Sequence, residues 1–245
     1  RDNYFAGQKS KKEKSINCIR LVNSEKEYLA HSLIRNLSFE ERIKIIGIPY
    51  TSQIIFWNFQ DTEVNSPVYV LELPMEITNF EFNPLNPNNL ICCLYSGQLI
   101  IYEFKDIMNI LHNGFDSEFT EKLMKKQKSE VYTFYITPIS ESHKSYITGF
   151  KWFPPGYSFH KYQMQYNQSI KDINIFATIS DDGQILVWDC KNFDRTIKNE
   201  VGNYIKPVLK IEVNRFDFNL KAFCRSIELK IKGNDSMMYV GTNEG

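Results

Sequence analysis

Ile175-Phe-Ala-Thr-Ile-Ser-Asp-Asp-Gly-Gln-Ile-Leu-Val-Trp-Asp189 is the stretch that decides the fold. Two apolar runs, Ile175 to Ile179 and Ile185 to Trp188, flank a tight Ser-Asp-Asp-Gly corner. Short β-rich runs on either side of a glycine-containing corner predict a β-hairpin. A Trp-Asp dipeptide closes its second strand. Upstream, Tyr146-Ile-Thr-Gly-Phe-Lys-Trp152 alternates as a strand should, and His143 stands just before it.

Together these features resemble a WD repeat, one blade of a β-propeller. In that family a turn Asp, a His before the first strand, a Ser or Thr of the second strand and the Trp form a buried hydrogen-bonded tetrad. The resemblance places those roles on Asp182, His143, Thr178 and Trp188. Such a tetrad is a scaffold device, because an indole N–H, an imidazole and a carboxylate shut away from water each need a partner. A structural reading of His143 and Asp182 is therefore preferred to a catalytic one.

The motif echoes along the chain. Gln53-Ile-Ile-Phe-Trp57-Asn-Phe59 repeats the closing strand, and Gln98-Leu-Ile-Ile-Tyr102-Glu103 repeats it again with Tyr in place of Trp. Trp57 and Tyr102 stand 102 − 57 = 45 residues apart, one blade. In that second blade the tetrad Asp and hydroxyl positions hold Ser96 and Cys92, which predicts a blade held by packing and backbone ladders alone. The expected organisation is a charged leading segment over 1–14, then part of one all-β WD propeller over 15–245. Its blades fall at about 15–60, 66–104, 131–190 and an incomplete 205–245, about four of the seven or so that close such a ring. The turn formers of Asn83 to Asn89 are expected to separate two strands, and Ser38-Phe-Glu-Glu-Arg42 carries a capping-box-like pattern.

Two segments interrupt the repeats. From 105 to 130, Ile107, Met108, Ile110, Leu111, Phe115, Phe119, Leu123 and Met124 recur at helical spacing, predicting a helical insertion lying against the propeller rim or docking a partner. Its end is basic, with Lys122, Lys125 and Lys126. The other is a long rim loop over 153–174, visible because His143 and Asp182 stand 182 − 143 = 39 residues apart, more than a compact repeat needs. Long loops on rigid scaffolds are where binding concentrates, so Trp152, Phe153, Tyr157, Phe159 and Tyr162 join the three lysines as candidate partner contacts.

Composition narrows the classes. Twenty-nine basic against 29 acidic residues give no net charge, which argues against a dedicated nucleic-acid binder. The five cysteines, Cys18, Cys92, Cys93, Cys190 and Cys224, are scattered without metal spacing and read as buried thiols of a reducing compartment. Neither a signal peptide nor an apolar run near the ~18 residues of a spanning helix is present in these 245 residues, so a soluble, intracellular, membrane-free protein is the expectation. The lysines of the leading segment read as a solvated loop in preference to a contact with an acidic partner such as tubulin. With no phosphate loop, no nucleophile elbow and no paired carboxylates in a motif, neither an enzyme nor a cofactor is expected.

Several phrases point to a family. Ser66-Pro-Val-Tyr-Val-Leu-Glu72, Phe80-Glu-Phe-Asn-Pro84 with Pro87-Asn88, and Gly97-Gln98 before a closing strand resemble the dynein intermediate chains. Asn36-Leu-Ser-Phe-Glu-Glu-Arg42, Ile54-Ile-Phe-Trp-Asn-Phe59 and Ile147-Thr-Gly-Phe-Lys-Trp-Phe-Pro154 are similar to the axonemal branch, and within it to the larger intermediate chains of two-headed inner-arm dyneins. Tyr102-Glu103 for Trp-Asp and the Tyr95-Ser96 corner depart from the pattern. The resemblance implies a non-catalytic scaffold of the ciliary axoneme, assembled in the cytoplasm. Its propeller would grip a dynein heavy-chain tail beside a second WD intermediate chain and light chains, with the microtubule doublet reached indirectly. Two other classes stay open: a WD scaffold of a transport, coat or chromatin assembly, and a propeller enzyme with polar groups converging on the channel.

Overall fold

The computed structural model describes residues 14–21, 28–35, 52–58, 67–73, 75–113, 132–160, 163–191, 194–199, 202–214, 222–232 and 235–243. Strands dominate, in antiparallel sheets whose sequential members pair. The first sheet runs β1 (Lys14–Leu21), β2 (Tyr28–Arg35), β3 (Ser52–Asn58) and β4 (Tyr69–Leu73) in chain order. The second is built on β5 (Ile77–Asn83), β6 (Asn86–Leu94), β7 (Leu99–Phe104) and β8 (Tyr132–Ile136), and the third on β9 (Ile147–Trp152), β12 (Ile175–Ser180), β13 (Gln184–Asp189) and β16 (Leu209–Glu212). A hairpin of β17 (Cys224–Lys232) and β18 (Asp235–Thr242) forms the fourth.

The blade boundaries differ from those expected. Each outer strand comes from the segment just before the next blade's first strand, because the chain leaving a closing strand returns antiparallel along its open edge. Residues 69–73 therefore belong to the first sheet, 132–136 to the second and 209–212 to the third. At the first and third returns a backbone bond starts the ladder: Val68 N–H to Phe56 O, 2.8 Å, and Val208 N–H to Val187 O, also 2.8 Å. The segment after Asp189 forms β14 (Asp194–Asn199) and β15 (Gly202–Tyr204), and β15 pairs parallel with β8. That covers an outer edge that would otherwise present unpaired backbone groups.

Three apolar clusters lie between successive sheets. Ile54, Phe56, Leu71, Phe80, Leu90 and Tyr102 join sheets one and two; Ile91, Ile101, Phe176, Leu186 and Trp188 join two and three; Ile175, Ala177, Ile179, Val187 and Ile227 join three and four. Strand β6 alternates between two of them, with Leu90, Cys92 and Leu94 facing one way and Ile91 and Cys93 the other. Both of its faces are buried. At the expected turn of 83–89, β6 already begins at Asn86, and the corner shrinks to two residues held by Asn83 Oδ1, which accepts from the amides of Leu85 and Asn86. Pro87 is tolerated there because it stands next to a register shift at the strand's start.

Of the helical insertion, α1 (Ile107–Asn113) is described. Asp106 caps it, Oδ1 accepting the Asn109 amide at 3.0 Å. Ile107, Ile110 and Leu111 are buried in the first core, so this turn of the stripe packs on the propeller body. Phe115, Phe119, Leu123, Met124, Lys122, Lys125 and Lys126 lie outside the described residues, as does the 38–42 pattern. The rim loop contains a hairpin of its own, β10 (Tyr157–His160) with β11 (Gln163–Tyr166).

Candidate functional site

The Ser-Asp-Asp-Gly corner closes with Gly183 at φ 73°, its amide donating to Ser180 O. This places Asp182 over the end of the blade, where its carboxylate accepts the amides of Lys144 (2.8 Å) and Gln184 (3.0 Å). His143 Nδ1 sits 3.2 Å from both Asp182 oxygens, and its Nε2 is 2.9 Å from Thr178 Oγ1. Trp188 Nε1 donates to the same hydroxyl at 2.9 Å. Indole can only donate and an ionised carboxylate can only accept. One donor direction therefore satisfies every group: Trp188 to Thr178, Thr178 to His143 Nε2, and His143 Nδ1–H to Asp182. His143, Thr178 and Trp188 are all buried. Burial alone would raise the Asp182 carboxyl, but the hydrogen bond from His143 and those from the two amides hold it below its ordinary 3.8. All four groups are engaged with one another or with backbone, so none of the four is free to act on a substrate.

The second blade reaches the same end by other means. In register, Leu90 faces Tyr102 as Phe176 faces Trp188, so Cys92 occupies the place of Thr178. Tyr102 packs edge-on to Tyr132, 5.2 Å between ring centroids. A polar network the sequence did not predict ties this blade to the next. Gln98 Nε2 donates to Thr137 O (2.7 Å), Leu99 N–H donates to Thr137 Oγ1 (2.8 Å), and Ser142 Oγ lies 2.6 Å from that hydroxyl. The blade is thus not held by packing and ladders alone. Gly97 completes the junction: at φ 83° it donates no side chain, and a Cβ there would fall 2.3 Å from the His143 carbonyl oxygen. The nearest sequence signal was Thr137-Pro138, which reads only as a turn.

A second unforeseen set lies on the first strands, which neighbour one another from sheet to sheet. Glu81, Lys151 and Glu228 each stand four residues after the first residue of β5, β9 and β17. Their signs alternate. Arg20 of β1 adds the next charge, binding Glu81 Oε1 through Nε at 2.5 Å and Asn79 Oδ1 through Nη2 at 2.9 Å. Lys151 Nζ donates to Glu228 at 2.9 Å. Burial lifts the Glu81 carboxyl above its ordinary range, against the pull of Arg20 and, more weakly, Lys151.

The proposed aromatic contacts need correction. Phe153 and Tyr157 are buried in the cluster between sheets three and four, with Phe159 packed against it. Trp152 packs edge-on to Phe176 at 5.1 Å. Hydrophobic burial takes Phe153 and Tyr157 into the core, Trp152 and Phe159 stay partly buried against it, and Tyr162 lies outside the described residues. Trp57, partly buried, pairs with Leu29 across β2. Cys92, Cys93, Cys190 and Cys224 are buried and in no disulfide, and burial pushes the thiols of Cys190 and Cys224 up, away from a reactive thiolate. Among the described residues no group of three or more His, Cys, Asp and Glu side chains is placed to hold a metal ion.

The family model described as "Dynein axonemal intermediate chain 3 WD40 domain" matches residues 3–219. The chain belongs to this family of axonemal dynein intermediate chains. It is 28% identical over 189 residues to dynein axonemal intermediate chain 3 of Danio rerio, a match covering 74% of this chain and 19% of the relative. The Mus musculus protein is 26% identical over 194 residues (73% and 21%), and the Homo sapiens protein 25% identical over 201 (76% and 22%). The chain thus spans about a fifth of the length of these relatives. Among solved structures, one titled "Structure of U3-55K" aligns at TM-score 0.46 and 10% identity, over 88% of this chain and 42% of the other. The matched span takes in the first three sheets of this intermediate-chain WD domain, including its tetrad and its Tyr102 variant, and stops before β17.

Proposed function

We propose that the chain is the propeller part of a non-catalytic scaffold subunit of an inner-arm axonemal dynein, of the two-headed type. In this reading the propeller docks on the heavy-chain tail, beside a second WD intermediate chain and light chains, and positions the motor for ciliary movement. The subunit is assembled in the cytoplasm and reaches the axonemal doublet through its partners. The family match over residues 3–219 carries the proposal. The chemistry agrees with it, since the conspicuous His and Asp are committed to one another inside a blade. The basic end of the insertion, with Lys122, Lys125 and Lys126, is a proposed part of the docking surface.

Affinity purification of the tagged full-length protein in mild salt, with mass spectrometry of its companions, tests this. A dynein heavy chain, a second WD intermediate chain and light chains are expected. A coat, transport or chromatin assembly without dynein would overturn the motor assignment, and recovery of an outer-arm heavy chain would overturn the inner-arm subtype.

A further inference from the structure

Each of the first three sheets has an outer strand drawn from the return segment, and these strands differ in charge. Strand β4 carries Glu72, and β16 carries Lys210 and Glu212. Charge on an outer strand discourages pairing with another chain. Strand β8 and the residue after it read Tyr132-Thr-Phe-Tyr-Ile-Thr137, all aromatic or β-branched, with no charge, Pro or Gly. That composition at a sheet edge is the signature of a self-pairing segment. Phe134 is 45% exposed, and Thr133 is exposed beside it. Among the described residues, the chain lays further strands over the β8 edge and over neither of the other two.

The cover is the β14–β15 hairpin, which follows the third sheet's closing strand, crosses to the second sheet and leads back to the third as β16. Its hold on β8 is short and parallel. Asn203 faces Tyr135, Tyr204 faces Ile136, and the Ile205 N–H reaches Ile136 O at 3.4 Å. A parallel ladder of that length contributes little stability of its own. What it changes is the edge. The new outermost strand, β14, reads Asp194-Arg-Thr-Ile-Lys-Asn199, so an uncharged edge is exchanged for one that carries Asp, Arg and Lys. We propose that the β14–β15 hairpin is a guard strand, which keeps the β8 edge from pairing antiparallel with the β8 edge of a second copy of this chain. Pairing centred on Phe134 would set Tyr132 against Ile136 and Thr133 against Tyr135, aromatic opposite β-branched at each step. A two-fold contact of this kind consumes both edges and closes at a dimer. The proposal is independent of the dynein reading, since it concerns only contacts between copies of this chain.

The test uses the full-length protein carrying Phe134→Cys under mild oxidation, with the hairpin intact or with its ladder broken by Asn203→Pro and Tyr204→Pro, since proline cannot donate to a strand. Paired β8 edges bring the two introduced thiols within disulfide reach, and mass spectrometry of the linked peptides reads the yield. Breaking the hairpin is expected to raise linkage between copies at position 134 by about tenfold or more. Adding Thr133→Lys puts a charge on the edge, across β7 from Glu103, and should return the yield to that of the intact protein. Equal linkage with the hairpin intact and broken would overturn the proposal. So would association of the broken variant that forms no linkage at position 134, or that Thr133→Lys leaves unchanged, because general misfolding exposes core and is not reversed by one charge on this edge.

Discussion

At the scale of single residues, Thr178 is the hinge of the tetrad, since one hydroxyl serves both Trp188 and His143. Thr178→Val keeps the shape and removes both bonds, stranding an indole N–H and an imidazole nitrogen inside the blade. Each stranded group costs roughly 1–3 kcal/mol, so a loss of about 2–4 kcal/mol is expected in urea denaturation. Combined with Trp188→Phe, the loss should be smaller than the sum of the two single changes, because the phenyl ring no longer carries an unmet donor. Full additivity would mean the indole bond contributes nothing. Asp182 makes a separate prediction. Its folded-state carboxyl titrates below the unfolded 3.8, so its ionised form adds stability above that pH. The contribution is lost as pH falls through 3.8 and below. Subtracting the stability profile of Asp182→Asn from that of the parent should therefore give a difference that shrinks on acidification; a flat difference would contradict the assignment.

At the scale of elements, the alternating charges of the first strands lock neighbouring blades in register near their inner edges. Arg20 is the partner Glu81 depends on, because that carboxyl is already pushed up by burial. Arg20→Ala should destabilise by about 1–2 kcal/mol, discounted for the partial exposure of both side chains. It should also move the Glu81 titration further upward, a shift that carboxylate NMR would follow. If Glu81 titrates unchanged, the pair is a surface contact of no consequence. The second and third blades show the same logic in different materials. Where Trp188 finds Thr178, Tyr102 finds an aromatic neighbourhood and Cys92, and the lost polar tie moves to Gln98, Thr137 and Ser142 at the blade's corner.

At the scale of the whole molecule, stability resides between sheets rather than within them, since each apolar cluster draws on two successive blades. Strand β12 is buried along its whole length, flanked by β9 and β13 and covered on both faces, whereas the β10–β11 hairpin pairs only with itself and its β11 strand stands largely exposed. Hydrogen exchange should accordingly be slowest at the β12 amides and much faster at β10 and β11. Comparable protection in both would show that the hairpin is covered by something else.

Read alone, the residues from Ile175 to Asp189 determined the hairpin, its corner and the WD character, because turn chemistry and local apolar runs act over a dozen positions. His143 and Asp182, though 39 residues apart, were placed by their match to the repeat. What the sequence left to the tertiary structure was everything settled by contacts across blades. A two-sided buried strand such as β6 shows no alternation from which its partners could be read. The outer strands of each sheet changed blade because pairing follows the nearest open edge, not the repeat boundary. Phe153 and Tyr157, plausible as contacts by residue type, became core because the third and fourth sheets close over them. Arg20 and Glu81 stand 61 residues apart with nothing local to join them, and only the approach of β1 to β5 makes them a pair.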